Sequence, residues 1–213
     1  MRVRIVVQDR RVTAVITRDR DEGATTVSKP DRRALIARAA VAVLAERGPR
    51  GFTHRAVDQA TGLGAGAVNY HAPDRATLLS LALEEVFRRD MAVAAAHFAL
   101  DRWDLDAVVD AIVGFVTDMC SDDHRARVIA RHHLLGEGLV RPEIKAVFDR
   151  QLAAFVALIV DKMTEAGYPA TTASAELFAM SVDGLLTRQV VVGLEPLPPE
   201  ELPRIAALIA RRW

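Results

Sequence analysis

Residues 51–75 read GFTHRAVDQATGLGAGAVNYHAPDR, two short helix-forming runs on either side of a glycine turn, about the span of a DNA-reading helix-turn-helix. Thr53 is placed to cap the first run, whose apolar side is Ala56, Val57 and Ala60, and Gly62 supplies the left-handed residue that ends it. The second run opens near Ala65 and buries Val68, until Pro73 and Asp74 stop it. Small residues at its start let the backbone approach a duplex. The expected nucleic-acid surface comprises Thr53, His54, Arg55, Ala65, Gly66, Ala67, Asn69, Tyr70, His71 and Arg75, its polar members directed at base edges and phosphates. These residues alone leave a second reading open: two short helices at the corner of an ordinary helical protein, with Gly62 a plain C-cap and Tyr70 in the core.

The flanks favour the first reading. Ser28 and Asp31 have capping-box spacing ahead of a run with Leu35, Ile36, Ala39, Ala40, Val43 and Leu44 on one face, closed by Gly48. Asp74 caps a long helix bearing Leu78, Leu79, Leu81, Ala82, Val86 and Phe87. Three helices with a fourth leading away make a small DNA-binding head.

Residues 31–87 resemble the DNA-binding head of the TetR family of transcriptional regulators. Thr53 stands at the family's threonine start, Val57 at its buried aliphatic and Gly62-Leu63 at its turn. Gly66, Val68, Tyr70-His71 and the run Arg75 to Leu79 follow its recognition helix and exit. The chain departs from the pattern at Asn69, where the family usually has tyrosine, and at Ala72, where it usually has phenylalanine; Arg75 replaces the commoner lysine and preserves a cation directed at phosphate. The resemblance implies a homodimer that represses from a palindromic operator and lets go when a small molecule binds the C-terminal domain.

Charge agrees in its distribution rather than its total. The chain carries 28 basic and 28 acidic side chains. Residues 28–75 hold eight basic against four acidic, residues 1–27 six against four, and residues 76–213 fourteen against twenty. A positive field confined to the head and its arm is what phosphate contacts need. Residues 1–27 are expected to be a basic arm without fixed structure. Val3, Ile5 and Val7, then Val12, Ala14 and Ile16, alternate well enough that a short hairpin is the other possibility, and a natural start nearer Val27 also stays open.

Hydrophobic residues make up 51% of the chain and aromatic ones 5%, which suits an all-α architecture. The expected domains are the arm at 1–27, the helix-turn-helix domain at 28–75 and a larger helical domain for effector binding and dimerisation at 76–213. Helices are predicted at 75–99, 104–121, 123–136, 141–167, 171–193 and 199–212. No apolar run is long enough to span a membrane, Asp161, Lys162 and Asp183 interrupting the best stretches, and MRVRIVVQDRR lacks a signal pattern. The lone Cys120 forbids an internal disulfide, so a cytoplasmic protein is expected.

The segments 144–168 and 175–192 carry more apolar residues than one subunit is expected to hide, among them Val147, Phe148, Phe155, Leu177 and Met180; they form the predicted homodimer seam. A ligand cavity is expected among Phe98, Trp103, Phe115, Met119, His132, Phe155 and Met180, although each is individually more often plain core. Adjacent His132 and His133 diverge on a helix, and His124 lies too far along to help, so no metal and no cofactor are expected. GLGAGA at Gly62 to Ala67, followed by Glu84, matches a loose dinucleotide pattern, but no buried strand precedes it and Pro73 cuts the following helix short. An enzyme is therefore not expected. The remaining alternative to a regulator is a helical small-molecule-binding or interaction protein that keeps the head without operator affinity.

Overall fold

The computed structural model describes residues 2–8, 11–17, 31–192 and 195–211. The chain divides into two units, residues 1–30 and 31–213. In the first, β1 (Arg2–Gln8) pairs antiparallel with β2 (Arg11–Thr17), with Val3 opposite Ile16, Ile5 opposite Ala14 and Val7 opposite Val12. This pairing is the hairpin named as the other possibility for the arm, of which residues 18–27 lie outside the described residues. Two runs alternating in phase across a two-residue connection select one register, and that is the hairpin pattern. Ser28, half of the expected capping box, lies outside the described residues.

The second unit is helical throughout. Its elements are α1 (Arg32–Gly51), α2 (His54–Thr61), α3 (Ala67–His71), α4 (Arg75–His97), α5 (Leu105–Met119), α6 (Asp122–Gly138), α7 (Pro142–Glu165), α8 (Thr172–Val190) and α9 (Glu201–Ala210). The six helices predicted after the head each lie within three residues of these bounds. Asp31 caps α1 by accepting the Arg33 N–H at 3.0 Å. That helix breaks at Gly48, whose φ of 62° is left-handed, and Pro49 opens one further turn. Asp104 caps α5 through Ala107, Pro142 opens α7, and Thr171 with Ser174 forms a reciprocal capping box on α8.

Two apolar clusters build the unit. The first joins Ile36 and Leu44 of α1, Phe52, Val57 of α2, Val68 of α3 and Leu78, Leu79 and Leu83 of α4 to Leu134 of α6 and Ile144 and Val147 of α7. The head core therefore continues into α6 and α7 through one apolar cluster. The second gathers Trp103, Ile112, Phe115, Met119, Phe178, Leu186, Leu202 and Ala206. Among the described residues, the charged side chains of Glu85 and Asp90 of α4 and Arg127 of α6 are buried as well. Among the described residues no helix is long and apolar enough to cross a membrane.

Candidate nucleic-acid interface and ligand cavity

Thr53 Oγ1 accepts the Ala56 N–H at 3.1 Å and starts α2; Gly62, at φ 66°, ends it. The chain then reaches Gly66, whose φ of 86° is a conformation side chains resist, and α3 begins at Ala67, two residues later than the sequence suggests. Asp58 organises this turn. Its Oδ2 accepts the Gly66 N–H and its Oδ1 the Val68 N–H, both at 3.0 Å, so one carboxylate satisfies two donors at the opening of the short helix. Asp58 was missed in the sequence. Its signal is an acidic side chain in the last turn of α2, where a cation suits the helix dipole better. Asp58→Ala is expected to cost about 1–2 kcal/mol of stability, read by thermal unfolding.

Five residues of α3 divide cleanly. Val68 is wholly buried, whereas Asn69 is exposed and Tyr70 is 86% exposed, its ring edge-on to His71 at 5.1 Å. That exposure removes the reading of Tyr70 as core. Thr53, Arg55, Ala65 and Gly66 are exposed, and Ala67 and His71 half-buried. Two expected contacts face elsewhere. His54 donates from Nε2 to the Ala72 carbonyl at 2.8 Å, tying α2 to the end of α3. Arg75 turns inward: its guanidinium donates to the carbonyls of Phe52 and Pro49, meets Glu137 of α6 at 3.1 Å and lies over the Phe52 ring, 5.5 Å from its centroid. Three donors of the fork are taken by two carbonyls at the end of α1 and by the Glu137 carboxylate, so Arg75 forms an internal clamp where a phosphate contact was expected. Asp74, exposed beside it, caps α4, and the Thr77 N–H holds its carboxyl below the usual range. Glu84, placed by the dinucleotide pattern, instead pairs with Arg33 at 3.2 Å.

The cavity lies among α4 to α8, is open to solvent on one side and has a volume of about 480 Å³. Phe98, Phe115, His132, Phe155 and Met180 line it as expected, with Met180 at an exposed rim. Trp103 and Met119 do not. Trp103 belongs to a second cavity of about 320 Å³ with Tyr168 and Met163, the two sharing Phe178. Met119 is fully buried, its sulfur 3.7 Å from the Arg127 guanidinium. Phe87, Phe148, Phe178, Arg131 and Asp183 line the larger cavity and were missed, because apolar periodicity does not separate a wall from a core. Arg131 bonds Asp183 and reaches Asp90 at 3.5 Å, while His132 donates from Nδ1 to the Val128 carbonyl at 2.9 Å and meets Thr187 Oγ1 at 3.0 Å. Burial raises the Cys120 thiol above its ordinary range, which disfavours a nucleophile.

The expected seam also divides. Val147, Val156, Ile159 and Met163 of α7, with Phe178, Leu185 and Leu186 of α8, are buried within the chain, so one subunit hides more than the sequence suggested. What remains outward is a stripe of Leu177, Met180 and Gly184 on α8 and of Ala153, Ala154 and Ala157 on α7.

A short helix with an outward polar face, a clamp to the following helices and a cavity behind it are the parts of a helical DNA-binding regulator. A family profile described as Tetracyclin repressor-like, C-terminal domain, matches residues 103–212. The chain belongs to the TetR family, and is accordingly a DNA-binding transcriptional regulator and not an enzyme. Solved structures share the fold. A TetR-family regulator from Rhodococcus sp. is 22% identical with a TM-score of 0.71, over 85% of this chain and 97% of its own. A TetR family member from Streptomyces coelicolor A3 is 24% identical with a TM-score of 0.67, over 84% and 98%. The multidrug binding protein EbrR, solved with imidazole, is 23% identical with a TM-score of 0.65, over 85% and 96%. No curated protein matches the chain.

Proposed function

We propose that the protein is a homodimeric, cytoplasmic repressor that occupies a palindromic operator and releases it when a small molecule enters the larger cavity. The exposure of Asn69 and Tyr70 on a helix whose buried side is Val68 carries the reading. Thr53, Arg55, Ala65, Gly66, Ala67 and His71 complete the reading surface, with Arg75 and His54 holding it from behind. Two copies joined through the Leu177, Met180 and Gly184 stripe and the α7 alanines would present two such helices, as reading successive major-groove turns about 34 Å apart requires. The multidrug binding protein EbrR, which shares the fold, is solved in complex with ethidium and with malachite green, which supports a small-molecule role here.

Release has a physical route. α6 lines the cavity through Arg131, His132 and Leu135 and grips the head through Glu137 less than two turns further on. A ligand that favours a shifted α6 therefore favours a shifted head, and a coupling of about 1–3 kcal/mol changes operator occupancy roughly 5- to 150-fold. Selection of duplexes from a random pool at physiological salt tests the reading: a palindrome is expected. Asn69→Ala and Tyr70→Ala should each weaken that duplex about tenfold or more, with relaxed base preference. Recovery of no preferred sequence would return the alternative of a binding protein that keeps the head as a structural element.

A further inference from the structure

The larger cavity collects six of the seven phenylalanines of the chain, Phe87, Phe98, Phe115, Phe148, Phe155 and Phe178, although aromatic residues are only 5% of the sequence. Their rings meet at steep angles. Phe87 and Phe148 lie 5.2 Å apart at 80°, Phe98 and Phe178 5.9 Å apart at 85°, and Phe98 and Phe115 5.8 Å apart at 60°. Perpendicular pairs point faces in some directions and edges in others, so a flat ring system placed among them finds both partners of edge-to-face contact. A flexible aliphatic chain would gain only buried area. The volume, about 480 Å³, lies within the range of small-molecule sites.

Charge narrows the class further. The ionic side chains lining the cavity are Arg131, Asp149 and Asp183, and each is already held by an opposite charge of the protein. Arg131 bonds Asp183 and Asp90, and Lys145 bonds Asp149. Both ring nitrogens of His132 are engaged as well. A ligand bearing net charge would surrender its hydration and meet no free counter-charge among the described residues. We propose that the cavity takes an uncharged, flat, polycyclic aromatic molecule, an inference that rests on the reading of this cavity as the effector site.

The test compares three fluorescent probes on the full chain without DNA: neutral N-phenylnaphthylamine, anilinonaphthalene sulfonate, which adds an anion to the same rings, and cationic ethidium. The neutral probe is expected to bind about tenfold or more tighter than either charged one. Phe155→Ala, which removes a half-buried ring, and Leu152→Trp, which fills the space, should each weaken it about tenfold, with thermal unfolding checking that both variants fold. Asp183→Asn leaves Arg131 with Asp90 alone, and the affinity of the sulfonate relative to the neutral probe should rise about fivefold or more. Binding of a charged probe as tight as the neutral one, no binding of any probe, or a neutral-probe affinity that survives both cavity variants overturns the proposal. Because no duplex is present, these outcomes are separate from a failed operator selection, which would sink the regulatory reading instead.

Discussion

Asp90→Ala is expected to destabilise the protein by about 3–5 kcal/mol, read as a lower midpoint in urea. Asp90 of α4 is buried and faces the side chain of Arg127, which is 2% exposed on α6. Arg127 Nε donates to Oδ1 of Asp90 at 2.7 Å, Nη2 touches only the Met119 sulfur and Nη1 has no hydrogen-bond partner among the described residues. Removing the carboxylate strands a guanidinium in the second apolar cluster with a thioether for company. The pair itself is a smaller stabiliser than its loss suggests, since both ions gave up hydration to form it. Combining Asp90→Leu with Arg127→Met should therefore recover most of the loss, while Arg131 retains Asp183. A single variant that unfolds like the parent would show that water reaches Arg127.

Arg75→Ala should cost about 2–3 kcal/mol, because it removes charge-assisted bonds to the Phe52 and Pro49 carbonyls, the contact with the Phe52 ring and the pair with Glu137, the last discounted for partial exposure. The sharper consequence concerns salt. A phosphate-binding arginine sets about one unit of the dependence of log affinity on log salt, whereas an internal clamp sets none. Arg75→Gln is expected to weaken operator binding while keeping the parent's slope, and Arg55→Gln, on the exposed side of α2, to reduce the slope by about one. A reduced slope for Arg75→Gln would return that residue to the DNA surface.

The clamp also titrates. Burial pushes the Glu137 carboxyl up, but hydrogen bonds from Arg141 and Arg75 and the charge of both guanidiniums outweigh it and hold the group below the ordinary glutamate range. In the unfolded chain the carboxyl titrates near about 4.3. A depressed folded value means that the contribution to stability is complete above that pH and is lost as acidification passes through the folded value. Glu137→Gln should accordingly flatten the acid limb of a stability profile below about pH 4.

Sequence alone determined the helical architecture, the turn at Gly62, the caps at Thr53 and Asp74 and the outward side of Asn69 and Tyr70, since period, capping chemistry and left-handed glycine are properties of neighbours along the chain. It also placed five of the seven expected cavity residues. Only the tertiary structure decided that Arg75 faces Glu137, sixty-two positions away, that Asp58 rather than a side chain of α3 satisfies the donors where α3 opens, and that Trp103 and Met119 stand apart from the larger cavity. It likewise assigned the bulky side of α7 to the chain's own core and left alanines outside. Long cations reach partners several ångströms from their own backbone, and an apolar residue reads identically whether it meets another side chain or an empty space, so both outcomes depend on which helices pack together.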